Sequence, residues 1–208
     1  MAENLGLQHS VIPIGDIYDS FNKGLEKEFK GKEKDITEEN LQSRCRGVIL
    51  MALSNKSGDL VLTTGNKSET AVGYSTLYGD TAGGFGVLKD VPKTMVYELS
   101  RYRNTISKVI PERIIERPPT AELAPDQKDT DSLPDYDILD KIIELYVEQD
   151  KSKEEIESLG VGNDVIERVL RLIDISEYKR RQAPLGVKIT SRGFGKDRRY
   201  PITNKFLK

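Results

Sequence analysis

Cysteine and histidine are almost missing from this sequence: Cys45 and His9 are the sole examples in 208 residues. A single cysteine excludes an internal disulfide and fits a reducing compartment, so a cytoplasmic setting is expected. One thiol and one imidazole cannot assemble a His/Cys zinc cluster, and a Ser/His/Asp or Cys/His nucleophile system is equally poorly supplied. Cys45 therefore reads as a small buried side chain. No apolar run reaches the roughly 18 residues of a membrane span, and the N-terminus lacks the basic-then-apolar pattern of a secretory leader. Neither membrane insertion nor secretion is expected. There is no internal repeat, and no paired carboxylates of the glycosidase kind stand out.

A strong net charge is also lacking. The formal value of -2 argues against wholesale attraction to nucleic acid or to a membrane surface. It hides two opposed blocks: residues 122–150 hold ten acidic and two basic side chains, whereas residues 179–208 hold ten basic ones against Asp197 alone. The basic tail is either a solvated end or a polyanion contact, with Phe194, Tyr200 and Phe206 as its stacking candidates. Hydrophobic residues supply 37% and charged residues 32% of the chain, which suits either a heavily solvated surface or a domain lacking part of its interior. The length accommodates one sizeable domain, with or without a small appendage.

The elements that are present alternate. His9–Ile14 is a short apolar run between Gly6 and Gly15 and reads as a buried strand. Ile17, Phe21, Leu25 and Phe29 recur every fourth residue, predicting an amphipathic helix that the GKEKD stretch ends. A second helix is predicted from Thr37, with Glu38 and Glu39 in its first turn, to Ser54, and its VILMAL run should be substantially buried. Residues 59–64 (DLVLTT) form the second strand. Two nearly all-apolar strands with helices between them predict a parallel sheet covered by helices, with its remaining strands elsewhere. Beyond Pro92 a helix is expected over KTMVYELSRYRN. Residues 116–137 carry prolines at 118, 119, 125 and 134 and read as a linker or a lid. Helices should follow over 136–147, over SKEEIESLG with Ser152 as its cap, and from Asn163; the last thirty residues look extended.

Chemistry gathers in the middle of the chain. The strand ending Thr63-Thr64-Gly65 and the turn Asn66-Lys67-Ser68-Glu69 place hydroxyl, amide and carboxylate at the carboxyl edge of a parallel strand, where open α/β sheets bind ligands. Thr64 suits a hydrogen bond to a base or phosphate and Glu69 suits Mg2+, unless Thr64 and Asn66 merely cap a helix. Gly79, Gly83, Gly84 and Gly86 would admit an anion to the backbone, but their spacing is neither the dinucleotide fingerprint nor the P-loop, and a flexible turn explains them as well. Asn40 and Arg44 share one helix face, with Arg46 two residues on; forked anion recognition and a solvated face are both open.

The blocks TEENLQSRCRG, LVLTTGNKSETAVGYSTLYGDTAGGF, KDVPKTMVYEL, RPPTAELAPDQKDTDSLPDYD and YKRRQAPLGVKITSRGFGKDRRYPI occur in that order. Together they resemble the synthetase domain of NAD synthetase over nearly the whole chain, in its glutamine-dependent form. The resemblance implies an adenine-nucleotide α-hydrolase-like α/β fold: a parallel sheet with flanking helices, incomplete in this chain. It divides the chain into a partial nucleotide-binding core at 1–115, a mobile proline-rich acidic flap at 116–137, and C-terminal helices with a basic tail at 138–208.

The activity it implies is ATP- and Mg2+-dependent adenylation of the nicotinate carboxylate of deamido-NAD, after which ammonia displaces AMP. By the same resemblance Asn40, Arg44, Glu69, Tyr74, Ser75, Thr76, Leu77 and Lys179 contact deamido-NAD, Thr64, Lys93 and Thr120 contact ATP, and Glu69 also contacts the metal. No catalytic nucleophile is implied. An amidase domain and pairing into a homodimer or higher homo-oligomer are implied as well. The family's Ser-Gly-Gly-x-Asp-Ser pyrophosphate loop is absent from the 208 residues. The chain is accordingly expected to be the C-terminal part of a longer enzyme or a subunit of a split one, with little synthetase activity alone. A dinucleotide-binding module without chemistry is the alternative, and an RNA-binding protein using the basic tail is a weaker third.

Overall fold

Local capping chemistry sets where several helices begin in the computed structural model, which describes residues 1–203. Helix α1 spans Gly15–Phe29, carrying the four-residue apolar spacing. Helix α2 spans Ile36–Ser57 and starts at Asp35 rather than Thr37: the Asp35 carboxylate accepts from the Thr37 amide at 2.7 Å, and Glu38 returns to the Asp35 amide at 2.9 Å. This reciprocal box satisfies two amides that the helix itself cannot. Gly58 ends α2 at φ 78, where a left-handed backbone is needed to return its amide to Ser54.

Strand β1, Leu62–Thr63, leads into α3, Lys67–Val72, and β2, Phe85–Gly86, precedes α4, Lys93–Ile106. Helix α5, Glu112–Glu116, is followed by the proline-rich segment and a short 3-10 turn at Asp129–Asp131. Then come α6, Tyr136–Ile143, with a π-helical turn at Glu144–Glu148, and α7, Lys153–Glu157, capped by Ser152. Helices α8, Asn163–Ile175, and α9, Glu177–Arg180, lead to β3, Leu185–Gly186. Among the described residues the sheet is parallel, in the order β1-β2-β3, with Phe85 paired to both Leu62 and Leu185.

Four expectations do not hold. His9–Ile14 is irregular, not a strand, and Val11 is 87% exposed, because no described strand lies beside it to take up its backbone groups. The VILMAL run is not buried: Val48, Leu50, Met51 and Leu53 are all exposed, and only Ser43, Cys45 and Gly47 of α2 are buried. The tail is not uniformly extended, since its first residues, Lys179 and Arg180, complete α9. Of residues 59–64 only Leu62 and Thr63 pair as strand.

The core lies in the C-terminal half. Leu139 and Ile142 of α6, Val147 of the π turn, Ile156 of α7 and Ile166, Val169 and Ile173 of α8 are completely covered, and Ala71 and Val72 of α3 join them. The basic tail is folded onto this core. Buried Arg180 donates to the carbonyls of Ala71 and Ile173, pairs with Glu177 at 3.0 Å, and lies over the rings of Phe194 and Tyr200.

Lys67, at the start of α3, is 1% exposed. Its ammonium donates to Glu148 at 2.7 Å, to the Thr190 hydroxyl at 2.5 Å and to the Arg192 carbonyl at 2.9 Å, with Asp90 at 3.3 Å. Four segments of chain thus meet on one buried charge. Lys67→Met leaves Asp90 and Glu148 facing each other without their cation, and it should lower unfolding free energy by about 3–5 kcal/mol in urea titration; a loss under about 1 kcal/mol would contradict this role.

Candidate functional site

At the carboxyl end of β1 a cleft of about 920 Å³ opens between α2, α3, α4 and the proline-rich segment. Thr64, Glu69, Tyr74, Lys93 and Thr120 of the expected set all line it. A smaller cavity of about 100 Å³ adjoins it, lined by Thr64, Glu69, Tyr74, Ser75 and Lys179 among others. Asn40, Arg44, Thr76 and Leu77 line neither. They hold one another: the Thr76 hydroxyl donates to Asn40 at 2.7 Å, and Arg44 Nε donates to the Leu77 carbonyl at 3.2 Å.

Asn66, not Thr64, caps α3. Its side chain accepts from the Glu69 amide at 2.9 Å, and Glu69 Oε2 returns to the Asn66 amide at 3.3 Å. The box fixes Glu69 so that its other oxygen faces Lys93 Nζ at 3.1 Å. That ammonium also lies 5.3 Å from the centre of the Tyr136 ring. A carboxylate and an ammonium are therefore held side by side on the cleft wall.

Around this pair the cleft carries further cations, Arg46, Arg113 and Arg117, and a polyanionic ligand suits such a lining. Mg2+ is the metal that the sequence resemblance implies. Among the described residues no group of three or more His, Cys, Asp or Glu side chains could hold an ion. Glu69 is still suitable for Mg2+, which commonly takes one or two protein carboxylates and completes its shell with water and substrate phosphate oxygens.

Residues 117–128 run over the cleft and are tied to α2: Gln42 donates to the Leu123 carbonyl at 3.0 Å, and Gln127 donates to Glu39 at 3.3 Å. Buried Asp129 ends the segment and accepts from the Tyr136 hydroxyl at 2.7 Å. Burial first, and then Asp129, pushes the Tyr74 and Tyr136 phenols well above the usual range, so both remain hydrogen-bond donors at any physiological pH.

Two features escaped the sequence. Asp80 lines both cavities and accepts from the Thr76 amide at 2.8 Å. Surrounding protein pushes its carboxyl up to about 6, with Glu69 adding to the rise, while the Thr76 amide and Lys179 oppose it. Asp80 also presents surface to solvent, which moderates the cost of ionising it. Its one signal was a carboxylate set inside a glycine cluster. Lys179, lowered by burial, bridges the carbonyls of Gly73 and Ser75, each at 2.7 Å.

The second feature is what the glycines do. A Cβ on Gly79 would come 2.9 Å from Ser43 Cβ and 3.0 Å from its backbone carbonyl carbon, one on Gly83 would come 3.0 Å from the Val61 carbonyl, and one on Gly84 would fall on Leu60. They let the loop lie against α2 and the chain entering β1, so the reading of a flexible turn is replaced by one of close packing. Of the stacking candidates in the tail, Phe194 and Tyr200 are buried against Arg180, and Phe206 lies outside the described residues.

Gly79→Ala should cost about 1–3 kcal/mol in chemical denaturation, because backbone on both sides must move. Gly24→Ala is the control: its Cβ would meet nothing within 4 Å inside α1, and it should stabilise by roughly 0.5–1 kcal/mol. Equal effects at the two positions would contradict the packing argument.

The family model described as NAD synthase matches residues 1–183. The chain is 57% identical over 205 residues to a glutamine-dependent NAD(+) synthetase of Acinetobacter baylyi, covering 98% of this chain and 38% of that protein. A glutamine-dependent NAD(+) synthetase of Aquifex aeolicus is 54% identical over 208 residues, 100% of this chain and 37% of that one. The solved glutamine-dependent NAD+ synthetase of Acinetobacter baumannii in complex with ADP superposes with a TM-score of 0.56 at 50% identity, covering 98% of this chain and 36% of that one. The chain thus spans little more than a third of the length of these relatives.

Proposed function

The chain belongs to the NAD synthase family, and from that premise we propose that it serves the ATP-dependent amidation of deamido-NAD to NAD. Its fold, a small parallel sheet flanked by helices, is of the adenine-nucleotide α-hydrolase-like kind. In the proposed reaction the nicotinate carboxylate attacks the α-phosphorus of ATP and pyrophosphate leaves. Ammonia then attacks the carbonyl carbon and AMP leaves, which yields the amide. The observation that carries this reading is the Glu69–Lys93 pair on the wall of a cleft shared with Thr64 and Thr120.

Each member of that set has a task. Thr64, Lys93 and Thr120 bind ATP, with Lys93 neutralising phosphate charge. Glu69 holds Mg2+, which when bound supplies further neutralisation of the phosphates, and it borders the dinucleotide. Asn40, Arg44, Tyr74, Ser75, Thr76, Leu77 and Lys179 form the wall that orients deamido-NAD. Orientation and charge stabilisation are sufficient here because adenylation itself creates the leaving group. Asp80 accepts a proton from the incoming nitrogen, and its raised carboxyl suits a base working near neutral pH. The segment 116–137 is the flap that excludes water from the adenylate. Ammonia from an amidase part of the full-length enzyme, a homodimer supported by the exposed apolar side chains of α2, and a cytoplasmic setting complete the reading.

The Ser-Gly-Gly-x-Asp-Ser donors are not among these 208 residues, so the chain assayed by itself is expected to bind deamido-NAD and to turn over slowly. Calorimetric titration of deamido-NAD with and without ATP and Mg2+, beside an assay of NAD formation, tests this. Binding should tighten with ATP and Mg2+, and Glu69→Gln or Lys93→Ala should each weaken ATP at least about tenfold, the scale of one charge-assisted hydrogen bond. Deamido-NAD binding indifferent to ATP and to both substitutions would instead favour a binding module without chemistry. Residual NAD formation should rise as pH passes about 6, when Asp80 loses its proton, and Asp80→Asn should flatten that rise; an unchanged profile would remove Asp80 from the reaction.

A further inference from the structure

We infer that Asp140, which touches neither cavity of the site, positions Lys93 by supplying the N-terminal cap that α4 lacks. The inference rests on the reading of Lys93 as the ATP-phosphate lysine. Helix α4 begins without the usual means of satisfying its first amides. Its N-cap residue is Pro92, which makes no side-chain cap, and its first turn contains no acidic residue. A 14-residue helix leaves four amides open at its start and concentrates positive charge there.

Both deficits are made good by neighbouring helices. Ser68 Oγ of α3 accepts the Lys93 amide at 2.8 Å, and Asp140 Oδ2 of α6 accepts the Thr94 amide at 2.9 Å and the Thr94 hydroxyl at 2.8 Å. The two caps are joined, because Ser68 Oγ also donates to Asp140 Oδ1. Ser68 is completely buried, so its hydroxyl has no water to turn to. One carboxylate therefore orients the Ser68 hydroxyl with its lone pair toward Lys93 and fixes the next residue directly.

The consequence falls on the cleft. Ser68 and Glu69 are consecutive in α3, and Lys93 and Thr94 are consecutive in α4, so the clamp through Asp140 sets the separation of the Glu69 carboxylate and the Lys93 ammonium. Asp140 itself opens on a different cavity, bordered by Lys67, Thr94 and Glu148. It is placed to act on ATP by setting Lys93 against Glu69, which makes it a positioning residue and gives it a signature that a merely structural residue lacks.

A double-mutant cycle on the full chain reads that signature as ATP affinity by calorimetry, with Mg2+ present. Asp140→Asn should weaken ATP about tenfold in the otherwise unchanged protein and by less than about twofold in the Lys93→Ala background. Equal factors in both backgrounds, or no effect of Asp140→Asn in the first, would overturn the inference and leave the reading of Lys93 standing. An unaltered ATP affinity in Lys93→Ala would fell that reading and this inference with it. If Asp140→Asn does not fold, Ser68→Ala takes its place in the cycle with the same expectations, since it removes the other half of the clamp.

Discussion

A lysine with one-hundredth of its surface in water is the constraint on which this structure turns. The ammonium of Lys67 is too costly to bury alone, and the chain answers with Glu148 from the π turn after α6, Asp90 from the loop before α4, and Thr190 and Arg192 from the tail. Satisfying that one charge draws four distant segments together at the first turn of α3. The next two residues of the same turn are Ser68, which carries the cap of α4, and Glu69, which faces Lys93. Two structural side chains thus precede a cleft-facing one along a single helical turn, and the position of the last follows from the first two.

In the proposed reaction the cleft that results works by charge and placement. It presents no activated nucleophile; it presents a carboxylate, several cations, hydroxyls and a carboxyl group raised toward neutrality. Such a set is what adenylation followed by aminolysis asks of a protein, since the nucleotide contributes the leaving group and the substrates contribute the nucleophiles. The opposite charges of Glu69 and Lys93 are turned on one another, while Arg44 and Asn40 hold the loop after α3 that the proposed function reads as the dinucleotide wall. Close packing of that loop on α2, permitted by Gly79, keeps Asp80 at the junction of the two cavities.

How much of this could be read from residues alone depended on range. Interactions within one turn were legible: the four-residue spacing of Ile17, Phe21, Leu25 and Phe29 gave α1, and Ser152 gave the cap of α7. Asn66 and Glu69 were visible as a polar turn, though not which of Thr64 and Asn66 was the cap. Pairing across the chain was not legible. Strands β2 and β3 are two residues each and contain glycine, so neither has the periodicity or propensity that announces a strand. His9–Ile14 had that propensity but has no described neighbour to pair with. The roles of Lys67, Ser68, Asp80 and Asp140 depend on partners up to 125 residues away, and no local pattern encodes them. Long, specific sequence blocks, rather than any physical periodicity, were what indicated the family.

The central claim is that Glu69 and Lys93 exchange each other for metal and phosphate when nucleotide enters the cleft. A crystal structure of the chain with a non-hydrolysable ATP analogue and Mn2+, phased to locate the metal by its anomalous signal, tests it most directly. The account predicts a manganese peak against the Glu69 carboxylate and the Lys93 ammonium turned to a phosphate oxygen, with the 3.1 Å pair broken. An intact Glu69–Lys93 pair beside bound nucleotide, or nucleotide and metal seated away from Thr64 and Thr120, would contradict it.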